Sequence, residues 1–229
     1  MSEPGAPKLA GGQRRKPNRD LGSVRFTERD RWLLAFIGEQ YAISLEQLEQ
    51  LTERSRFTAV VLRKRWANAG WVEFRRLTQT GPSLLWLARE GVRVAQSPYQ
   101  LWRPNGALAA HIGAVTNVRI LLERQLQLGE WLCERELAHD SFAPMLRHPH
   151  LPDGLLDTGS GQIAVEVELT LKGRTRLAEI LADVGQRYTQ VWYFAAPSVL
   201  PTLAGLVQEA RRKNIVVHPY PPKPGDLFA

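Results

Sequence analysis

One segment constrains the fold more than any other. From Gln162 to Lys172 the residues alternate without a break, with Ile163, Val165, Val167, Leu169 and Leu171 on one side and Gln162, Ala164, Glu166, Glu168, Thr170 and Lys172 on the other. A period of two belongs to a β-strand, so the segment reads as a strand with one apolar face. Thr158-Gly-Ser-Gly161 just before it is a cluster of turn formers, and Leu151-Pro-Asp-Gly-Leu-Leu-Asp157 leads into that cluster. A four-residue hairpin loop at 158–161 pairs Asp157 with Gln162, Leu155 with Ala164 and Asp153 with Glu166. Side chains opposed in this way lie ~5 Å apart. Asp153, Glu166 and Glu168 then converge on one patch, with Lys172 further along the same row. A slip of one residue would carry Asp153 to the other face.

Opposed like charges destabilise a sheet unless a proton or cation offsets them. Three carboxylates in one patch form a hard-oxygen site suited to Mg²⁺ or Mn²⁺, which would be needed only if the site is catalytic. The same spacing serves equally an acidic strand face open to solvent. Around this segment, the spacing predicts a long helix over residues 107–128 and a strand over 131–137 that contains Cys133. Leu177, Ile180, Leu181, Val184 and Tyr188 mark a later amphipathic helix, Gln190 to Ala195 a buried strand, Leu203 to Ala210 another helix, and Ile215 to His218 a last strand. Strands alternating with helices call for parallel pairing through crossovers.

Charge divides the chain. It has 229 residues with 30 Lys and Arg against 23 Asp and Glu, a net +7, and its 44% hydrophobic and 23% charged residues exclude a wholly disordered or fibrous protein. The excess is local: +4 over residues 1–26, +3 over 27–95 and zero over 96–229. Such asymmetry suggests a nucleic-acid-binding part joined to a part with another task. No run of 18 apolar residues occurs, so no membrane partner is expected. With no apolar signal segment and one cysteine, a cytoplasmic setting is expected.

The expected organisation is a basic disordered arm over 1–26, a DNA-binding domain over 27–95, a linker over 96–105, a second domain over 106–220 and a tail over 221–229. In the first domain Thr27 and Ser44 are helix caps, Ser44 with Gln47 in a capping-box pattern, and Gly70 ends a third helix begun near Arg56. Trp71 to Arg76 and Leu84 to Leu87 read as a hairpin. Between Arg54 and Arg76 the net charge is +6.

Three helices, a hairpin and a helix resemble a winged helix-turn-helix, and "ISLEQLEQLTERSRFTAVVLRKRWANAGWVEF" carries the likeness. The resemblance implies double-stranded DNA as a partner. It puts Arg54, Ser55, Arg56 and Thr58 nearest the base edges, Arg63, Lys64 and Arg65 near phosphates, and Arg75 and Arg76 on the wing. A solvated basic face with no ligand is the plainer reading of the same charges.

The helix, the strand, Pro152-Asp153, the hairpin and Glu166-Val-Glu168 resemble the PD-(D/E)XK nuclease core, an α/β mixed sheet with flanking helices. That resemblance implies that Asp153 and Glu166 hold a metal and that a lysine two positions on helps activate water. Here Glu168 occupies that position, as in some restriction endonucleases of this fold, and Lys172 is the nearest substitute. A Mg-dependent endonuclease and a protein that does not cut therefore both stay open. "LAAHIGAVTNVRILLE", "LPDG" and "VEVELTLKGRTRLAEIL" together resemble the replication-relaxation proteins of plasmids and integrative elements. That likeness implies plasmid DNA replication or relaxation, with a homodimer and replication or mobilisation proteins as candidate partners. The alternative is a non-catalytic winged-helix regulator whose degenerate nuclease-like domain mediates dimerisation or docking.

Overall fold

A computed structural model describes residues 25–140 and 150–227. The arm expected over 1–26 therefore lies outside the described residues except for Arg25 and Phe26, and the Phe26 ring packs edge-on to Trp71 at 5.3 Å.

Local chemistry sets the first helices. Helix α1 (Glu28–Glu39) begins where the Thr27 hydroxyl accepts the Asp30 N–H and the Asp30 carboxylate accepts the Thr27 N–H. Strand β1 (Ile43–Ser44) leads into α2 (Leu45–Thr52), where Ser44 and Gln47 make the same reciprocal cap. Ser55 caps α3 (Arg56–Asn68). The helix gives way at Gly70, whose φ of 73° is a conformation that favours glycine. Strands β2 (Val72–Arg76) and β3 (Ser83–Leu87) form the expected antiparallel hairpin, with β1 on the far edge in the order β1-β3-β2. Two residues are too few for β1 to show a period in sequence. Helix α4 (Arg89–Val94) follows, and Leu33, Ile37, Leu48, Leu62 and Trp66 fill the core of this unit.

Residues 96–105 contain neither helix nor strand, yet they do not form a loose linker. The Trp102 ring packs edge-on to Trp86, and the Arg135 guanidinium lies over both Tyr41 and Tyr99 at 4.7 and 4.8 Å. Arg135 also donates to the carbonyls of Gly38 (2.6 Å) and Gln100. Gln47 reaches across to the Gly113 carbonyl (2.7 Å) and the Asn117 amide oxygen (2.6 Å), so the two units share a packed seam.

The helix expected over 107–128 is interrupted. A 3-10 turn (Gly106–Leu108) precedes α5 (Ala109–Arg119), and residues Ile120–Gln125 widen into a π turn, with the Leu126 N–H bonded to the Leu121 carbonyl at 2.9 Å. Glu123 in that turn accepts from the Arg119 Nε at 2.8 Å and from the Trp131 N–H at 3.3 Å, meeting groups that a buried arginine and a strand start would otherwise leave unsatisfied. The strand expected over 131–137 is only β4 (Glu130–Cys133). Residues Glu134–Asp140 form α6, with Glu134 and Glu136 in the first turn where the helix dipole favours acids.

The remaining elements are β5 (Gly154–Asp157), β6 (Gln162–Glu168), α7 (Arg174–Arg187), β7 (Gln190–Ala195), α8 (Leu200–Glu209) and β8 (Ile215–Pro219). They complete a mixed sheet in the order β4-β5-β6-β7-β8, antiparallel from β4 to β6 and parallel from β6 to β8. The β5–β6 register is the one the turn chemistry requires: Asp157 faces Gln162 and Leu155 faces Ala164. Gly154 is demanded by packing, since a Cβ there would lie 2.1 Å from the Trp131 ring.

Two expectations for β6 need correction. The strand does not have one solvated face: Ile163, Val165 and Val167 pack with α5, while Ala164 packs with α7 and α8. Helices cover both faces, as parallel pairing requires. The strand also ends at Glu168, and Leu171, expected on the apolar side, is exposed. The residues taken for a free tail pack as well. A 3-10 turn at Pro224–Leu227 buries Leu227 in the α5 core, and just ahead of the expected tail the Asn117 amide donates to the Tyr220 hydroxyl at 3.0 Å.

Candidate functional site

The acids of the hairpin meet at the end of β6. Asp153 immediately precedes β5, and its Oδ2 accepts the Val167 N–H at 2.7 Å, which pins the carboxylate beside Glu166. Glu166 and Glu168 are only 4% and 5% exposed, an unusual state for two acids two positions apart. Each carboxylate faces a base. His111 Nε2 lies 2.8 Å from Asp153 Oδ1, His150 Nε2 lies 2.7 Å from Glu166 Oε1, and Lys172 Nζ lies 2.5 Å from Glu168 Oε2. Lys172 thus reaches the cluster from the segment that leaves the sheet.

The environment perturbs Glu166 and the two histidines together. Burial pushes the Glu166 carboxyl up to about 7, partly opposed by the hydrogen bond from His150. The hydrogen bond to Glu166 raises His150, and the one to Asp153 raises His111, each against the opposing effect of burial. Each member of the Glu166–His150 pair therefore holds a proton more readily than its free side chain. Glu134 at the start of α6 joins the cluster. Burial raises its pKa, Asp153 adds to the rise, and its Oε2 accepts from the Tyr41 hydroxyl at 3.2 Å. Tyr193, opposite Glu166 on β7, carries a buried hydroxyl with no hydrogen-bond partner among the described residues.

Three carboxylates offer the hard oxygens that Mg²⁺ or Mn²⁺ takes. The donor types fit such an ion. Among the described residues, however, no group of three His, Cys, Asp or Glu side chains is placed to hold an ion, and His111, His150 and Lys172 stand against the three acids. Glu123, the one acid in the long helical stretch, serves Arg119 and the β4 backbone. The sequence offers His111 only as a packed or capping residue of an apolar helix, and it places Glu134 inside a segment that reads as strand.

The basic surface is the second candidate. Arg54, Ser55 and Arg56 are exposed at the start of α3, Thr58 is half-buried, Lys64 is exposed one face-turn further on, and Arg75 and Arg76 are exposed on β2. Ser55 and Thr58 are engaged in the α3 cap, and Arg56 lies 3.9 Å from Glu49. Arg63 stacks over Phe74 at 4.6 Å and Arg75 over Trp86 at 5.6 Å. Arg65 turns inward, where it pairs with Asp30, a carboxylate with no exposed area that also accepts from Trp66 Nε1 at 3.0 Å. Phe57 and Val61, four residues apart on one face of α3, are 76% and 46% exposed. Their outward position was hidden in a helix whose apolar residues are spread around it.

Compared with known families, the chain matches no family model and no curated protein. Among the described residues no helix is long and apolar enough to cross a membrane.

Proposed function

We propose that the chain is a DNA-binding protein of a plasmid or mobile element, of the replication-relaxation type, in which a winged helix delivers duplex DNA to a PD-(D/E)XK-like phosphodiester-cleaving centre. The observation that carries the reading is the burial of Glu166 and Glu168 beside Asp153. Burying ionisable acids is costly, and sequestering two of them next to a third is the arrangement of a reactive centre rather than of a solvated strand edge. On this reading α3 enters the major groove with Arg54 and Arg56 toward the bases, and β2 with Arg75 and Arg76 lies along the backbone. Phe57 and Val61 suit apolar contact with thymine methyl groups.

Asp153, Glu166 and Glu168 would hold Mg²⁺ or Mn²⁺, which supplies stabilisation of the charge that develops on the phosphoryl group. The chain's own groups do the rest. His111 and the Val167 N–H hold Asp153 in place, His150 exchanges a proton with Glu166, and Lys172 stands beside Glu168 as the cation nearest the lysine position of the fold.

A second reading has its own support. Because each carboxylate is already matched by a base, the cluster is also a self-neutralised structural core, suited to a non-catalytic regulator that dimerises or docks through this domain. Supercoiled plasmid incubated with Mg²⁺ or Mn²⁺ separates the two. Nicking by the wild type and none by the Asp153→Ala, Glu166→Ala double variant is the expected result. DNA binding by both proteins with no cutting by either leaves the regulator.

A further inference from the structure

At the seam between the two units, a cavity of about 270 Å³ opens beside the carboxylate cluster. Tyr41 and Trp102 line it, with ring centroids 6.0 Å apart and planes inclined by 52°, and Ile112 adds an apolar wall. Three acids line it too. Two are committed: Glu39 pairs with Arg119 at 2.7 Å, and Asp153 pairs with His111 at 2.8 Å. Glu134 is not. Among the described residues no cation forms a salt bridge with it, and its one side-chain hydrogen bond comes from the Tyr41 hydroxyl. No Lys or Arg lines the cavity.

These features select an occupant. A phosphate would meet three carboxylates and no Lys or Arg, with His111 as the only base in the lining and that one already paired to Asp153. An aliphatic group would leave the acceptor positions of Glu134 beyond the Tyr41 hydrogen bond without a donor. A flat heteroaromatic ring carrying an amino group satisfies both demands, with one face on the aromatic wall and its N–H on the acid. We propose that the cavity takes a single unpaired nucleobase with an exocyclic amino group, cytosine or adenine, whose amino N–H is accepted by Glu134 and whose ring packs on Tyr41 and Trp102. Carboxylates accept from the cytosine amino group in the same way at base edges. The DNA-directed reading above supplies the source of such a base, a nucleotide displaced from the duplex next to the cluster, with its phosphates kept outside the acidic lining.

The test uses the full chain in metal-free buffer with free nucleosides, followed by saturation-transfer NMR and tryptophan fluorescence. 2′-Deoxycytidine and 2′-deoxyadenosine should bind about tenfold more tightly than thymidine, which lacks the amino group. N4,N4-Dimethyl-2′-deoxycytidine, which keeps the ring but has no N–H to give, should fall to the thymidine level. Glu134→Ala should erase the difference between deoxycytidine and thymidine, and Trp102→Leu should weaken both. Equal binding of all four nucleosides, binding of none, or preference for a simple ammonium ion such as tetramethylammonium would overturn the proposal. Because no cleavage is measured, nucleoside selection without plasmid nicking would sink only the nuclease reading, and nicking without nucleoside selection would sink only the base pocket.

Discussion

His150 Nε2 lies 2.7 Å from Glu166 Oε1, in a position where the carboxylate is almost wholly removed from water. A buried acid whose pKa rises from 4.5 to about 7 holds its proton more tightly in the folded chain than in the unfolded one. Its contribution to stability is therefore lost as pH rises through that window. The histidines act in the same direction. Both His150 and His111 are raised by their carboxylate partners, so the stabilisation they bring is fully present below their unfolded pKa and is lost as pH rises through the folded one. Without metal, the protein should be more stable near pH 5.5 than near pH 8. Glu166→Gln should flatten that dependence by on the order of 2 kcal/mol. Thermal unfolding across this pH range checks it, and a wild-type melting temperature that rises toward pH 8 would refute the raised titration of Glu166 and the two histidines.

Divalent-ion affinity should run the opposite way. An ion held by Asp153, Glu166 and Glu168 competes with protons and with the three bases, so Mn²⁺ binding should strengthen from pH 6 to pH 8. Removing a competitor should also strengthen it: Lys172→Met leaves Glu168 without its ammonium partner. Calorimetric titration of wild type and variant with Mn²⁺ measures both trends. Affinity unchanged by pH and by the variant would show that these acids are not the ligands.

The hairpin that builds the cluster was legible because its signals are local. Four turn formers and a period of two fix the pairing of β5 with β6, and that pairing brings Asp153 to Glu166. The partners of these acids were illegible because each depends on a contact distant in sequence. His111 is 42 residues from Asp153, and nothing in an apolar helix marks one histidine as facing an acid. Glu134 was hidden by a boundary: Trp131 to Cys133 has the look of a strand that runs on, and only the packed sheet shows the chain turning into α6. The seam was missed for a related reason. Two prolines and an Asn-Gly pair over residues 96–105 signal irregular backbone, which a sequence cannot distinguish from loose backbone.

That seam should make the protein unfold as one body. Arg119 is almost wholly buried between Glu39 of α1 and Glu123 of the π turn, with its guanidinium 4.1 Å from the Phe36 ring centroid. Burial alone would lower its pKa, but the two glutamates hold it up. Arg119→Met should strand both acids and cost about 3–5 kcal/mol. Denaturant unfolding of the wild type, followed by fluorescence and by circular dichroism, should give coincident transitions. Two separated transitions in the wild type would mean that the units are energetically independent.

Tyr193 should respond in the opposite sense to most core positions. Its buried hydroxyl has no partner among the described residues, and burial together with the nearby carboxylates pushes its pKa upward. Tyr193→Phe removes an unsatisfied polar atom and keeps the ring, so stability should hold or rise by about 1 kcal/mol. A loss of more than that in chemical denaturation would reveal a hydrogen bond made by this hydroxyl.

The arginines of α3 should separate into two classes. Arg54 and Arg56 are exposed at the helix start, whereas Arg65 meets the Asp30 carboxylate inside the core. Asp30 also caps α1 and holds the Trp66 indole, so Arg65→Ala leaves a buried charge tied to two structural elements. Its effect should be thermal, a loss on the order of 3 kcal/mol in stability. The salt dependence of DNA binding should stay unchanged wherever the variant is folded. Arg54→Ala with Arg56→Ala should do the reverse. Stability should move little, because exposed side chains and a 3.9 Å surface ion pair contribute little. If both arginines contact phosphates, the slope of log affinity against log salt should fall by about 1.8. If they reach base edges instead, the slope should hold while the preference for the specific site over random duplex falls. Paired measurements of melting temperature and of DNA affinity at several salt concentrations decide between these outcomes. Unchanged affinity, slope and preference in the Arg54, Arg56 variant would remove α3 from the DNA interface.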